Sequence, residues 1–124
     1  MVEQETLIPI YSTRGDVAAF LSYPYIFDRL GEWIGWVTPD RQVYSVHGHY
    51  VGWLSKDPRI LRKLAGDSLI QLTPPTPPKR IQIPAVVPLA PMMAELSYGV
   101  VDVLDEALEY MPSLDFGERR EDMD

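Results

Sequence analysis

"EWIGWVTPDRQVYSVHGHYVGWLS", from Glu32 to Ser55, carries a Gly-Trp pair twice, at Gly35-Trp36 and Gly52-Trp53. On either side of it, and including it, four segments align on a central glycine. They are "IYSTRGDVAAFL" from Ile10, "IFDRLGEWIGWV" from Ile26, "VYSVHGHYVGWL" from Val43 and "LRKLAGDSLIQL" from Leu61. Their glycines, Gly15, Gly31, Gly48 and Gly66, follow at intervals of 16, 17 and 18 residues. Periods this short mark a repeated supersecondary unit, so the two Gly-Trp pairs are one position of successive repeats.

The columns of this alignment say what the unit is. Ile10, Ile26, Val43 and Leu61 lead, followed by Tyr11, Phe27, Tyr44 and Arg62. Beyond the glycine, Ala18, Ile34, Val51 and Leu69 align, and two residues later Phe20, Trp36, Trp53 and Gln71. A spacing of two keeps side chains on one face of a strand. Short β-branched and aromatic runs either side of an x-Gly turn read as β-hairpins, the glycine supplying the positive φ. Pro9, Pro24, Pro39 and Pro58 precede the units, where a residue without a backbone donor belongs between hairpins. A lone hairpin is marginal in water, so the four must bury apolar faces against one another. Both a linear solenoid and a closed rosette satisfy that need. Four copies, and small residues at Ala19, Gly35 and Gly52 that admit close backbone approach, favour closure.

At "IYSTRGDVAAFL", "IFDRLGEWIGWV" and "VYSVHGHYVGWL" the chain resembles the 4-fold β-flower domain family, over about residues 7–73. In the fourth copy Arg62 and Gln71 stand where aromatics are expected. The resemblance implies a fold, and it carries no activity and no functional residue. The expected architecture is therefore mainly β: four β-hairpins around a pseudo-fourfold axis over residues 1–73. An extended Pro-rich arm (74–93) follows, then a short acidic amphipathic helix with a polar tail (94–124).

The arm begins in "LTPPTPPKRIQIPAVVPLAPMM", Leu72 to Met93, where seven of the twelve prolines fall between Pro74 and Pro91. Such a run excludes regular helix and central strand and suits polyproline II. Ile81, Ile83, Val86, Val87, Leu89, Met92 and Met93 make it too apolar for a solvated linker, so it must lie on protein. In "VVDVLDEALEYM", Val100, Val101, Leu104 and Leu108 follow helical spacing and Pro112 ends the pattern. The expected contact residues are Ile81, Ile83, Val86, Val87, Leu89, Met92 and Met93 of the arm with Val101, Leu104 and Leu108 of the helix. A chain ending at Thr73 is expected to fold without them.

Charge and composition narrow the function classes. The net charge of −7 sits in the second half: residues 1–73 hold seven basic and eight acidic residues, and residues 74–124 four and ten. No basic stripe suits nucleic acid, and no apolar run approaches a membrane span. Without a leader-like N-terminus the chain reads as cytoplasmic. Cysteine is absent, which removes disulfides, thiol nucleophiles and cysteine-based zinc sites. No stretch fits GxxxxGK or GxGxxG. Ser12 and Ser45 recur in one column with nothing to complete a triad. Asp105 and Glu106 read as a solvated helix face rather than an acid–base pair. A ring of Asp16, Glu32, His49 and Asp67, each following a turn glycine, is the one metal arrangement the repeat allows, and outward-pointing turns argue against it. Trp33, Trp36, Trp53, Tyr11, Tyr44 and Tyr50 are needed as core in so small a domain, with a sugar-binding surface as their alternative use. The expected role is a non-enzymatic assembly or adaptor module without cofactor or metal. It would contact a protein partner or sister copies; the alternative is a small-ligand or carbohydrate-binding module.

Overall fold

The computed structural model describes residues 7–65 and 70–113. Eight antiparallel strands form one curled sheet in chain order: β1 (Ile8–Tyr11), β2 (Val17–Ser22), β3 (Tyr25–Asp28), β4 (Trp33–Val37), β5 (Gln42–Ser45), β6 (Tyr50–Leu54), β7 (Ile60–Lys63) and β8 (Val100–Asp102). The first three hairpins repeat one another closely. Ile10 faces Ala19, Ile26 faces Gly35 and Val43 faces Gly52, and each ladder slips by one residue at the next position. In every turn the glycine N–H donates back three residues, to the carbonyl of Ser12, Asp28 or Ser45. Gly15, Gly31 and Gly48 all have positive φ, as the turn assignment requires. Pro9 lies inside β1, tolerated because β1 is the first strand of the sheet and has a partner on one side only.

The fourth hairpin differs from the sequence expectation in two ways. Ile60, not Leu61, is equivalent to Ile10, Ile26 and Val43, since Leu54↔Ile60 repeats Leu21↔Ile26 and Val37↔Val43. Leu61 thus takes the Tyr11, Phe27 and Tyr44 position, and Arg62 moves out of that column. The second strand is not the stretch through Gln71 but Val100–Asp102, with Leu61↔Asp102, Arg62↔Val101 and Lys63↔Val100. Gln71 instead bridges to His49 at the third turn. The helix expected from Val100 correspondingly starts later: α1 spans Val103–Glu106 and a 3-10 turn spans Leu108–Tyr110. A stretch such as Val100, Val101 and Val103 serves strand and helix patterns alike, and the open edge of β7 selects the strand.

The inner face of the curl is the core: Ile10, Ile26, Val43 and Ile60 with Leu21, Ile34, Val37, Val51 and Leu54. Val103, Leu104 and Met111 belong to the same cluster, so the C-terminal segment plugs the bowl that the hairpins leave. Close approach is built in where small residues recur: a Cβ on Gly52 would lie 1.9 Å from the Leu61 carbonyl oxygen. The two ends of the sheet meet without a ladder. The Tyr11 N–H donates to the Pro58 carbonyl (3.0 Å), and the Thr13 N–H and hydroxyl both donate to Asp102 Oδ2 (2.7 and 2.8 Å). No helix among the described residues is long and apolar enough to cross a membrane.

Candidate functional site

Between β7 and β8 the chain runs around the outside of the curl as a belt, from residue 70 to residue 96. It visits the third, second and first turns in that order and ends at the base of the fourth hairpin. At the third turn the Tyr50 N–H donates to Ile70 O and the Leu72 N–H to Gly48 O. At the second, Tyr25 Oη donates to Thr76 O, the Ile81 N–H to Gly31 O (3.0 Å) and Arg80 Nε to Leu30 O. At the first, Tyr11 Oη donates to Pro88 O (2.8 Å). At the base of the fourth, Arg59 Nη2 donates to Ala94 O and the Ala94 N–H to Asp57 Oδ2. The aromatic column that faces outward on the hairpins is therefore what the belt covers. Ile81 packs on Phe27, Trp33 and Val46.

Burial recurs every three residues in two runs, separated by the exposed Pro84 and a bend at Ala85. Pro75, Pro78 and Ile81, then Val87, Ala90, Met93 and Leu96, are partly buried, with Pro74 and Ile83 beside them. Three residues per turn is the repeat of polyproline II, whose cross-section has three edges. One edge is docked on the sheet. A second carries Val86, Leu89 and Met92, which are 84, 94 and 95% exposed. The third carries Ala85, Pro88, Pro91 and Ala94, all exposed. No charged residue occurs from Ile81 to Ala94. The result is an uncharged apolar ridge held to its own domain along its opposite side.

The ten residues expected to make contacts are thus split. Ile81 packs on the molecule's own sheet and Ile83, Val87 and Met93 are partly buried, while Val86, Leu89 and Met92 face solvent. Val101 is partly buried in β8, Leu104 is in the core, and Leu108 is 60% exposed on the 3-10 turn. Leu104 and Leu108 do not share a docking face, because the helix ends between them.

A polar cluster anchors the far end of the belt, and the sequence pattern did not single it out. Arg59 is fully buried, pairs in fork geometry with Asp57 (2.6 and 3.2 Å) and donates to Thr13 Oγ1. Burial pushes the Asp57 carboxyl up, but hydrogen bonds from Arg59, Ser55 and the Ala94 N–H outweigh it and hold the pKa at about 2. Asp102 is driven the other way: burial raises its pKa despite the bonds from Thr13, and its Oδ1 is buried with no hydrogen-bond partner. The only sequence signal was an Asp-Pro-Arg run at the start of a hairpin, which reads as an ordinary turn.

The aromatics are mostly internal. Trp33 is buried with Nε1 donating to Gly35 O, and Trp36 stacks on Tyr44 at 5.0 Å while donating to Ser45 O. Trp53 is half-buried in a groove of about 350 Å³ that it shares with Leu61, Met92 and Leu96. His47 and His49 are exposed; no three His, Asp or Glu among the described residues could hold a metal, and Asp67 of the ring lies outside them.

The model of the 4-fold beta flower protein family matches residues 8–96, most of the chain, and the chain belongs to that family. The match spans β1 to β7 and the belt. No curated protein and no solved structure matches the chain.

Proposed function

We propose that this protein is a non-enzymatic assembly or adaptor module whose contact surface is the outward side of the belt. One observation supports the reading above others: Val86, Leu89 and Met92 are almost fully exposed on one edge of a segment that is tied down elsewhere. Scattered apolar side chains on a surface need no explanation, but a contiguous ridge of them favours a partner. The hydrogen bonds of the belt hold the ridge in place before binding, which lowers the ordering cost of association. The aromatic hairpin residues support a sugar-binding reading less well, since Tyr11, Trp33 and Tyr44 are buried. Tryptophan fluorescence that stays unchanged across a glycan panel is expected.

The ridge is tested by replacing Val86, Leu89 and Met92 with Ser together. All three side chains are in water, so the melting temperature should stay within a degree or two of wild type. Mass by light scattering or partner co-purification should change. Unchanged mass and unchanged partners in the triple variant would sink the assembly reading.

A further inference from the structure

Resting on that reading, we infer that the belt is the ligand of a polyproline-reading partner, a protein domain with an aromatic-lined groove that accepts Val86 to Met92. Such grooves take a preformed polyproline II segment along two of its three edges and leave the third outside. The belt offers that division. Its docked edge, Val87, Ala90 and Met93, is the partly buried one. The two free edges are side by side, Pro88 and Pro91 on one and Val86, Leu89 and Met92 on the other. Pro88 and Pro91 stand three apart, the spacing that places two proline rings on one edge. The backbone between them is set by the bond from Tyr11 to Pro88 O, and the chain beyond by the bond from Arg59 to Ala94 O. The earlier prolines fit less well, since Pro74, Pro75 and Pro78 are themselves partly covered.

Area and charge separate this occupant from a second copy. Seven residues of polyproline II extend about 22 Å. Two convex strips of that length meet along a line and fall short of the roughly 800 Å² per partner of a stable interface. Each copy also carries a net charge of −7, so pairing brings two like charges together. A concave groove wraps both free edges, and its aromatic lining matches a strip without charge from Ile81 to Ala94.

The full chain, isotope-labelled, is titrated with purified SH3 domains, WW domains and profilin, the polyproline-reading probes. Binding to one of these classes is expected, with amide shifts confined to residues around 85–94. It should weaken about tenfold or more in Pro88→Ala/Leu89→Ser/Pro91→Ala, a loss of about 1.4 kcal/mol or more. Pro74→Ala/Pro77→Ala should leave it unchanged. No binding by any probe, or equal binding by the triple variant, overturns the inference. A dimer that depends on Val86, Leu89 and Met92 also overturns it, yet leaves the assembly reading standing; the absence of any association that depends on the ridge ends both.

Discussion

Gly15, Gly31 and Gly48 share one backbone conformation, with φ of 94, 85 and 88°, but not one environment. A Cβ at Gly15 meets nothing within 4 Å, whereas at Gly31 it would lie 2.0 Å from Ile81 O and at Gly48 2.1 Å from Leu72 O. Gly15→Ala should therefore cost only the left-handed backbone penalty, about 1 kcal/mol. Gly31→Ala and Gly48→Ala should cost clearly more, because the belt must lift from the turn. Chemical unfolding of the three variants checks the order; equal losses would mean that the belt does not rest on the turns. Asp57 makes a second residue-level statement. Its pKa falls from 3.8 to about 2, so its stabilisation is present above pH 3.8 and is lost as the pH drops through that window. The shift corresponds to about 2 kcal/mol. Asp57→Asn should lower the melting temperature at about pH 6 and approach wild type near pH 2. A gap that stays constant with pH would show that the carboxylate charge is not what Arg59 requires. Asp102 works in the opposite sense: with its pKa raised, its buried charge weakens the fold as the pH rises through that pKa.

At the scale of elements, the fourth hairpin is assembled from strands far apart in sequence. β8 pairs with β7 through Leu61↔Asp102, and the segment after it delivers Val103, Leu104 and Met111 to the core. The expectation that a chain ending at Thr73 folds alone loses its basis, since that chain keeps an open β7 edge and an unfilled bowl. Such a chain is expected to lack a cooperative thermal transition. Leu104→Asp, which places a charge in the core, should cost about 3 kcal/mol or more rather than merely weaken association. A sharp melt for the truncated chain, or a wild-type melting temperature for Leu104→Asp, would place the C-terminal segment outside the folding unit.

Across the whole molecule the belt solves two problems. It covers the outer aromatic face of a sheet whose inner face is already core, so a small chain buries both sides. It also returns the chain to the β7 edge after passing every hairpin. Its hydrogen bonds lie at Gly48, Tyr25, Gly31 and Tyr11, from the third hairpin back to the first, and then at Arg59 at the base of the fourth. The exposed ridge is the surface this route leaves over. Three-residue burial alternates one covered edge with two open ones, and the proposed association draws on the open pair.

Local periodicity was legible without coordinates. The turn glycines, the branched residues at Ile10, Ile26 and Val43 and the aromatics beside them are dictated by neighbours within a dozen residues, so three hairpins and their common turn follow from local pattern alone. So does the extended course of the proline run, and its need to lie on protein. Which strand completes the fourth hairpin is a long-range matter, because Leu61 and Asp102 are joined by competition for a free sheet edge and not by any local pattern. Only the fold, likewise, sorted the belt into inner and outer residues. Val86 and Val87 are the same side chain in neighbouring positions; the anchoring bonds to Gly31, Tyr11 and Arg59 set the rotation that exposes one and partly buries the other.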